Sequence, residues 1–155
     1  MLKISSKKSV LLSIIASCFL FAGCIVCAII LPSWVNVLIN ARGEFASSIS
    51  RTEHALIVAL AYNILAIVVL ANCLLISLLL RVRRALVFTH KSVGRIRGIS
   101  WCCFLLSAVF FLLGFYFMLS FVMAFFAIFL GMCIRVVKNV IEQAVEIKCE
   151  NDLTV

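Results

Sequence analysis

Three stretches of this chain run without a single Asp, Glu, Lys, Arg or His: Val10 to Leu31, Ala55 to Leu80 and Ile99 to Ile134, of 22, 26 and 36 residues. An α-helix rises about 1.5 Å per residue, so about 20 apolar residues cross a hydrocarbon core about 30 Å thick. The first two stretches each fit one crossing. The third would reach about 54 Å as one helix, so it must double back. Gly114 and Ser120 mark the turn, since glycine relaxes the backbone and serine can cap the helix that follows. The expected fold is therefore all-α, a four-transmembrane-helix bundle forming one integral membrane domain over 1–155. Its spans are expected at about 10–31, 55–80, 99–116 and 120–137.

Composition agrees. The chain is 66% hydrophobic and 13% charged with a mean hydropathy of +1.28. Soluble domains are roughly half apolar and a quarter charged. There is too little polar surface to coat a water-soluble core, so the lipid bilayer is the first partner. The net charge of +8 would point to nucleic acid in a soluble protein. Here the cations cluster between apolar runs, where membrane orientation and anionic lipid headgroups explain them, and direct nucleic-acid binding is not expected.

The cations also set an orientation. Three precede the first span, two lie in the Pro32 to His54 segment, six in Arg81 to Gly98, none in the third turn and three after Ile134. Under the positive-inside rule both termini and the 81–98 loop are cytoplasmic (N-in/C-in), in a multi-pass cell-membrane protein. The Pro32 to His54 segment, whose Arg42 and Arg51 are balanced by Glu44 and Glu53, faces outward. Pro32 is placed to stop the first helix and Trp34 to mark the interface. Thr89 can cap a third helix beginning at His90, ahead of its apolar span. Beyond Arg135, charged residues interleave with Val137, Ile141, Ala144 and Val145 at helical spacing. The fourth helix is thus expected to continue as an amphipathic cytoplasmic extension through the 138–155 tail.

An ionisable group inside a span is costly and marks function; these spans hold none. That argues against a proton-coupled transporter and an intramembrane metalloprotease. His54 and His90 fall on opposite sides of the membrane and cannot share a metal. No serine stands in a nucleophile elbow, and the Cys24, Cys27 pair lies in an apolar segment without a second pair. The expectation is no enzyme, no cofactor, and no catalytic or metal-binding residue. What remains inside is uncharged. Ser13, Ser17, Gly23, Cys24 and Cys27 form a small-residue seam suited to helix packing. Asn63 and Asn72 are nine residues apart, so they point about 180° from each other on a helix, and at least one should bond a neighbouring helix.

Candidate contact residues for a partner or for anionic headgroups are the cations Arg81, Arg83, Arg84, Lys91, Arg95 and Arg97, with Glu150, Asn151 and Asp152 at the chain end. The preferred reading is a non-enzymatic regulatory or interaction protein that presents the basic loop and helical tail to a cytoplasmic protein. The alternative is a homo-oligomeric transport or channel component for small polar solutes, its path lined by Asn63 or Asn72, Ser77 and Ser107.

Several local patterns are similar to one known group. Leu31-Pro32-Ser33-Trp34 leaves the first span, Phe88-Thr89 then Ser92-Val93-Gly94-Arg95-Ile96 precedes the third, and the chain closes on Ala144-Val145-Glu146-Ile147-Lys148-Cys149-Glu150-Asn151-Asp152-Leu153-Thr154-Val155. Together they resemble the YoaS-like family of small bacterial four-helix membrane proteins of unknown function, over nearly the whole chain. The resemblance implies a helix-turn-helix regulator as partner and supplies no catalytic residues. One departure is the apolar turn between helices three and four, which is polar or charged in that family.

Overall fold

A computed structural model describes the chain over residues 6–41, 51–83 and 90–153, with side chains over 10–39, 51–83 and 91–147. Four helices make up these segments: α1 Ser6–Ala41, α2 Arg51–Arg83, α3 His90–Gly114 and α4 Leu119–Leu153. Each is long and apolar enough to cross a membrane, and among the described residues there is no strand. The helices overrun the apolar stretches because hydrophobicity sets where a helix meets lipid, not where it ends. Arginine is a good helix former, so α2 continues through Arg83 and α3 begins at His90. Within the expected 81–98 loop, residues 81–83 are thus the end of α2, and residues 90–98 are the start of α3, which begins at His90 as expected.

α1 departs most from expectation. It passes through Pro32 without stopping and ends at Ala41. Proline has no N–H, so the carbonyl four residues earlier, that of Ala28, loses its helical partner. In lipid such an orphan costs too much to leave unpaired. Tyr62 of α2 supplies the missing donor: its hydroxyl donates to the Ala28 carbonyl at 3.3 Å. Nearby, His54 Nε2 donates to Asn36 Oδ1 at 2.7 Å, so the last turns of α1 are also tied to the start of α2.

The hairpin of α3 and α4 turns over residues 115–118. The Tyr116 and Phe117 amides donate to the Leu113 carbonyl at 3.0 and 2.9 Å, and the Ser120 amide to the Phe117 carbonyl at 2.8 Å. Because α4 begins at Leu119, Ser120 lies inside its first turn, where it is buried, rather than at the cap position. The Phe111, Phe115 and Phe121 rings meet edge to face with centroids 5.3–5.8 Å apart. Gly114 is needed beneath them: a Cβ there would stand 2.7 Å from the Phe121 ring.

Successive helices are antiparallel, as the cross-helix pairs show. Asn72 donates to the Ser17 carbonyl at 3.0 Å while Tyr62 meets Ala28. Arg95 donates to the Ser77 carbonyl at 2.6 Å, and a Cβ on Gly98 would touch Leu74 at 3.1 Å. Ser100 and Ser107 donate to the carbonyls of Gly131 and Ala124 at 2.9 and 3.0 Å. These last two bonds lie seven residues apart on each helix, two turns, which is the repeat of left-handed helix packing. Gly131 makes the approach close enough, since a Cβ on it would stand 3.2 Å from Cys103 Cβ.

The bundle is open. α1 packs on α2, α2 on α3 and α3 most extensively on α4, whereas the remaining pairs barely touch. Few side chains are fully enclosed, with Ile57 and Ser92 the largest. Phe19, Ile29, Phe125 and Phe129 stand exposed at 81%, 75%, 69% and 56%. Such a surface suits lipid. In that solvent, burial of apolar area gives helices no mutual attraction, so close backbone packing and interhelical hydrogen bonds, each worth about 0.6 kcal/mol, must hold them.

Candidate functional site

The cations gather at one end of the molecule, where α2 finishes, α3 begins and α4 leaves its apolar run. Arg81 and Arg95 turn toward the helix contacts: Arg95 reaches the Ser77 carbonyl, and the Arg81 Nε is buried with no hydrogen-bond partner. Arg83 and Lys91 are exposed. Arg97 points from α3 toward α4 and pairs with Glu142 at 3.5 Å. Arg84 lies outside the described residues, as do the side chains of Glu150, Asn151 and Asp152.

Between the start of α3 and the exit of α4 lies a cavity of about 310 Å³ lined by Arg97, Ser100, Trp101, Phe104, Arg135 and Lys138. Helical periodicity makes it: Arg97, Trp101 and Phe104 recur on one face of α3, and Arg135 and Lys138 on one face of α4. Antiparallel packing brings the two faces level. Glu142 organises it by bridging to both Arg97 and Lys138, the latter one turn before it on α4. Lys138 also donates to Asn139 Oδ1 at 3.3 Å. Three cations line the cavity, and the one carboxylate pairs with two of them, which leaves an excess of positive charge. Trp101 and Phe104 meet edge to face at 6.3 Å and form the apolar wall.

The chemistry this arrangement offers is recognition of an anion. Arginine and lysine here are charge-assisted donors, and the Ser100 hydroxyl is committed to the Gly131 carbonyl. Among the described residues no group of three His, Cys, Asp or Glu could hold a metal. Cys24 is buried and Cys27 exposed, and both are free thiols. Ser17 and Cys24 are buried and Ser13 is half-buried. Gly23 is exposed with open space around it, because one residue before Cys24 lies 100° around the helix from it. Asn72 bonds across to α1; Asn63 bonds the Ala59 carbonyl of its own helix at 3.2 Å. Asn72 bonds across the contact of α1 with α2 and Ser107 across that of α3 with α4.

Sequence reasoning missed Trp101, Arg135 and Lys138 as parts of one site, and missed the Ser100, Ser107 and Ala124, Ala127, Gly131 seam. A signal was present in both cases. Cations one turn outside an apolar run on two helices of a hairpin share a level, and small residues spaced four and three apart mark a close helix contact.

In class this is a multi-pass membrane protein of four helices with a cation-lined cavity at one end. The chain belongs to the family described as protein of unknown function (DUF2975), whose model matches residues 6–155. No curated protein and no solved structure shows significant similarity to it.

Proposed function

We propose that this protein is a non-enzymatic adaptor of the cell membrane, with both termini in the cytoplasm, whose basic end and α4 extension engage a cytoplasmic protein in regulation. The observation that carries this reading is the two-sidedness of α4 beyond Arg135. Lys138, Ile141, Glu142 and Val145 turn inward, Val145 being 5% exposed, while Val136, Val140 and Ile147 stand 64%, 61% and 59% exposed on another face. An apolar stripe at four- and seven-residue spacing on a helix that has left the apolar run suits helix-in-groove recognition. The positive-inside rule supports the orientation. The YoaS-like resemblance makes a small helix-turn-helix regulator the first partner to test.

Co-purification from native membranes tests it. The intact protein should retain a regulator encoded beside it, and Val136→Ser, Val140→Ser, Ile147→Ser together, or removal of 150–155, should release it. Equal recovery by all three proteins contradicts the reading.

A further inference from the structure

The aromatic wall of the cation-lined cavity borders a second hollow. Phe104 lines the cavity and also lines this hollow, an apolar groove of about 690 Å³ along α3 and α4 formed with Ala108, Phe111, Leu112, Phe125 and Ile128. On α3 these residues step away from the charged end by about 10 Å from Phe104 to Phe111; on α4, antiparallel, Ile128 and Phe125 step the same way. A polar cavity and an apolar groove thus adjoin at Phe104, on the same faces of α3 and α4.

We propose that the two together bind one anionic glycerophospholipid, with its headgroup phosphate among Arg97, Arg135 and Lys138 and one acyl chain along the Phe104 to Phe111 groove. Arginine forks pair with phosphate oxygens in bidentate fashion, and Glu142 holds Arg97 and Lys138 toward the cavity without neutralising all three cations. Trp101 stands near the start of the third apolar run, a place that suits an indole at the boundary of headgroups and chains. Orientation alone accounts for cations near an apolar boundary; it does not account for their convergence on a cavity of about 310 Å³ beside an apolar groove. A ligand site is usually a concavity of roughly 300–1,000 Å³ with a few converging polar groups. The groove distinguishes a lipid from free phosphate. None of this rests on the protein-partner reading.

The sequence has two tryptophans, so Trp34→Phe leaves Trp101 as the sole indole reporter. The full chain carrying that change is reconstituted in vesicles containing phosphatidylglycerol or phosphatidylcholine with brominated acyl chains, and Trp101 quenching is compared. Brominated phosphatidylglycerol should quench preferentially. Arg135→Gln with Lys138→Gln should lower the preference on the order of tenfold, Arg135→Lys should keep most of it, and Arg51→Gln, far along the chain at the start of α2, should leave it unchanged. Ala108→Leu, which fills the groove, should weaken quenching by the anionic lipid. Equal quenching by the two lipids in the parent protein overturns the proposal, as does a preference unmoved by the double substitution. Displacement by inorganic phosphate at constant ionic strength, with Ala108→Leu silent, also overturns it and assigns the cavity to free phosphate.

Discussion

At the scale of single residues, this protein is governed by backbone groups that cannot turn to water. Pro32 deprives the Ala28 carbonyl of its partner, and the Tyr62 hydroxyl replaces it. Tyr62→Phe should therefore lower stability by about 1 kcal/mol, seen as a reduced melting temperature in detergent by circular dichroism. In a Pro32→Ala background, where an N–H is restored, the same change should cost much less; an equal cost in both backgrounds would show that the hydroxyl does not serve that carbonyl. Gly114 poses the steric counterpart. With a Cβ placed 2.7 Å from the Phe121 ring, Gly114→Ala should destabilise by about 1–3 kcal/mol through overpacking, and Phe121→Ala should relieve most of the clash. Neither relation was legible in the sequence. Proline there reads as a stop signal because a sequence shows the N–H that is missing and not the hydroxyl that compensates from another helix.

At the scale of elements, the α3 and α4 pair is the best-defined contact. Ser100 and Ser107 bond backbone carbonyls two turns apart, and Gly131 lets the helices approach. This register has a covalent test. A Cβ on Gly131 would stand 3.2 Å from Cys103 Cβ, near the separation of about 3.5–4.5 Å found in disulfides. Gly131→Cys should thus crosslink to Cys103 on mild oxidation, identified by peptide mass spectrometry. Gly131→Leu should separate the helices at that level and reduce stability by more than the loss of either serine hydroxyl, each worth about 0.6 kcal/mol. The four spans and the doubling back of Ile99–Ile134 were legible, because absence of charge over a membrane's width is a strong physical constraint. Helix ends were less so. The start of α3 at His90 was legible from its helical pattern, whereas Arg81 and Arg83 read as loop by polarity; polarity outside a membrane is compatible with helix, and they belong to α2.

For the whole molecule, the open row of helices fits lipid as the outer solvent and gathers its cations at one end. Three features converge there: the cavity lined by Arg97, Arg135 and Lys138, the end of α2 at Arg83, and the part of α4 that outlasts the apolar run. The cations on both sides of the connection between α2 and α3 were legible as a group. Their division was not. Which of them turn inward, as Arg81 and Arg95 do, and which face α4, as Arg97 does, depends on helix rotation set by packing along the full length. The proposed orientation serves both the regulatory and the lipid reading, since it would set the basic end before soluble partners and anionic headgroups alike. Topology is measured directly by fusing alkaline phosphatase or green fluorescent protein after Gly43, Arg84, Phe117 and Val155. Phosphatase activity is expected after Gly43 and Phe117 only, with fluorescence after Arg84 and Val155. Active phosphatase after Arg84 or Val155 would place the basic end outside and contradict the proposed orientation.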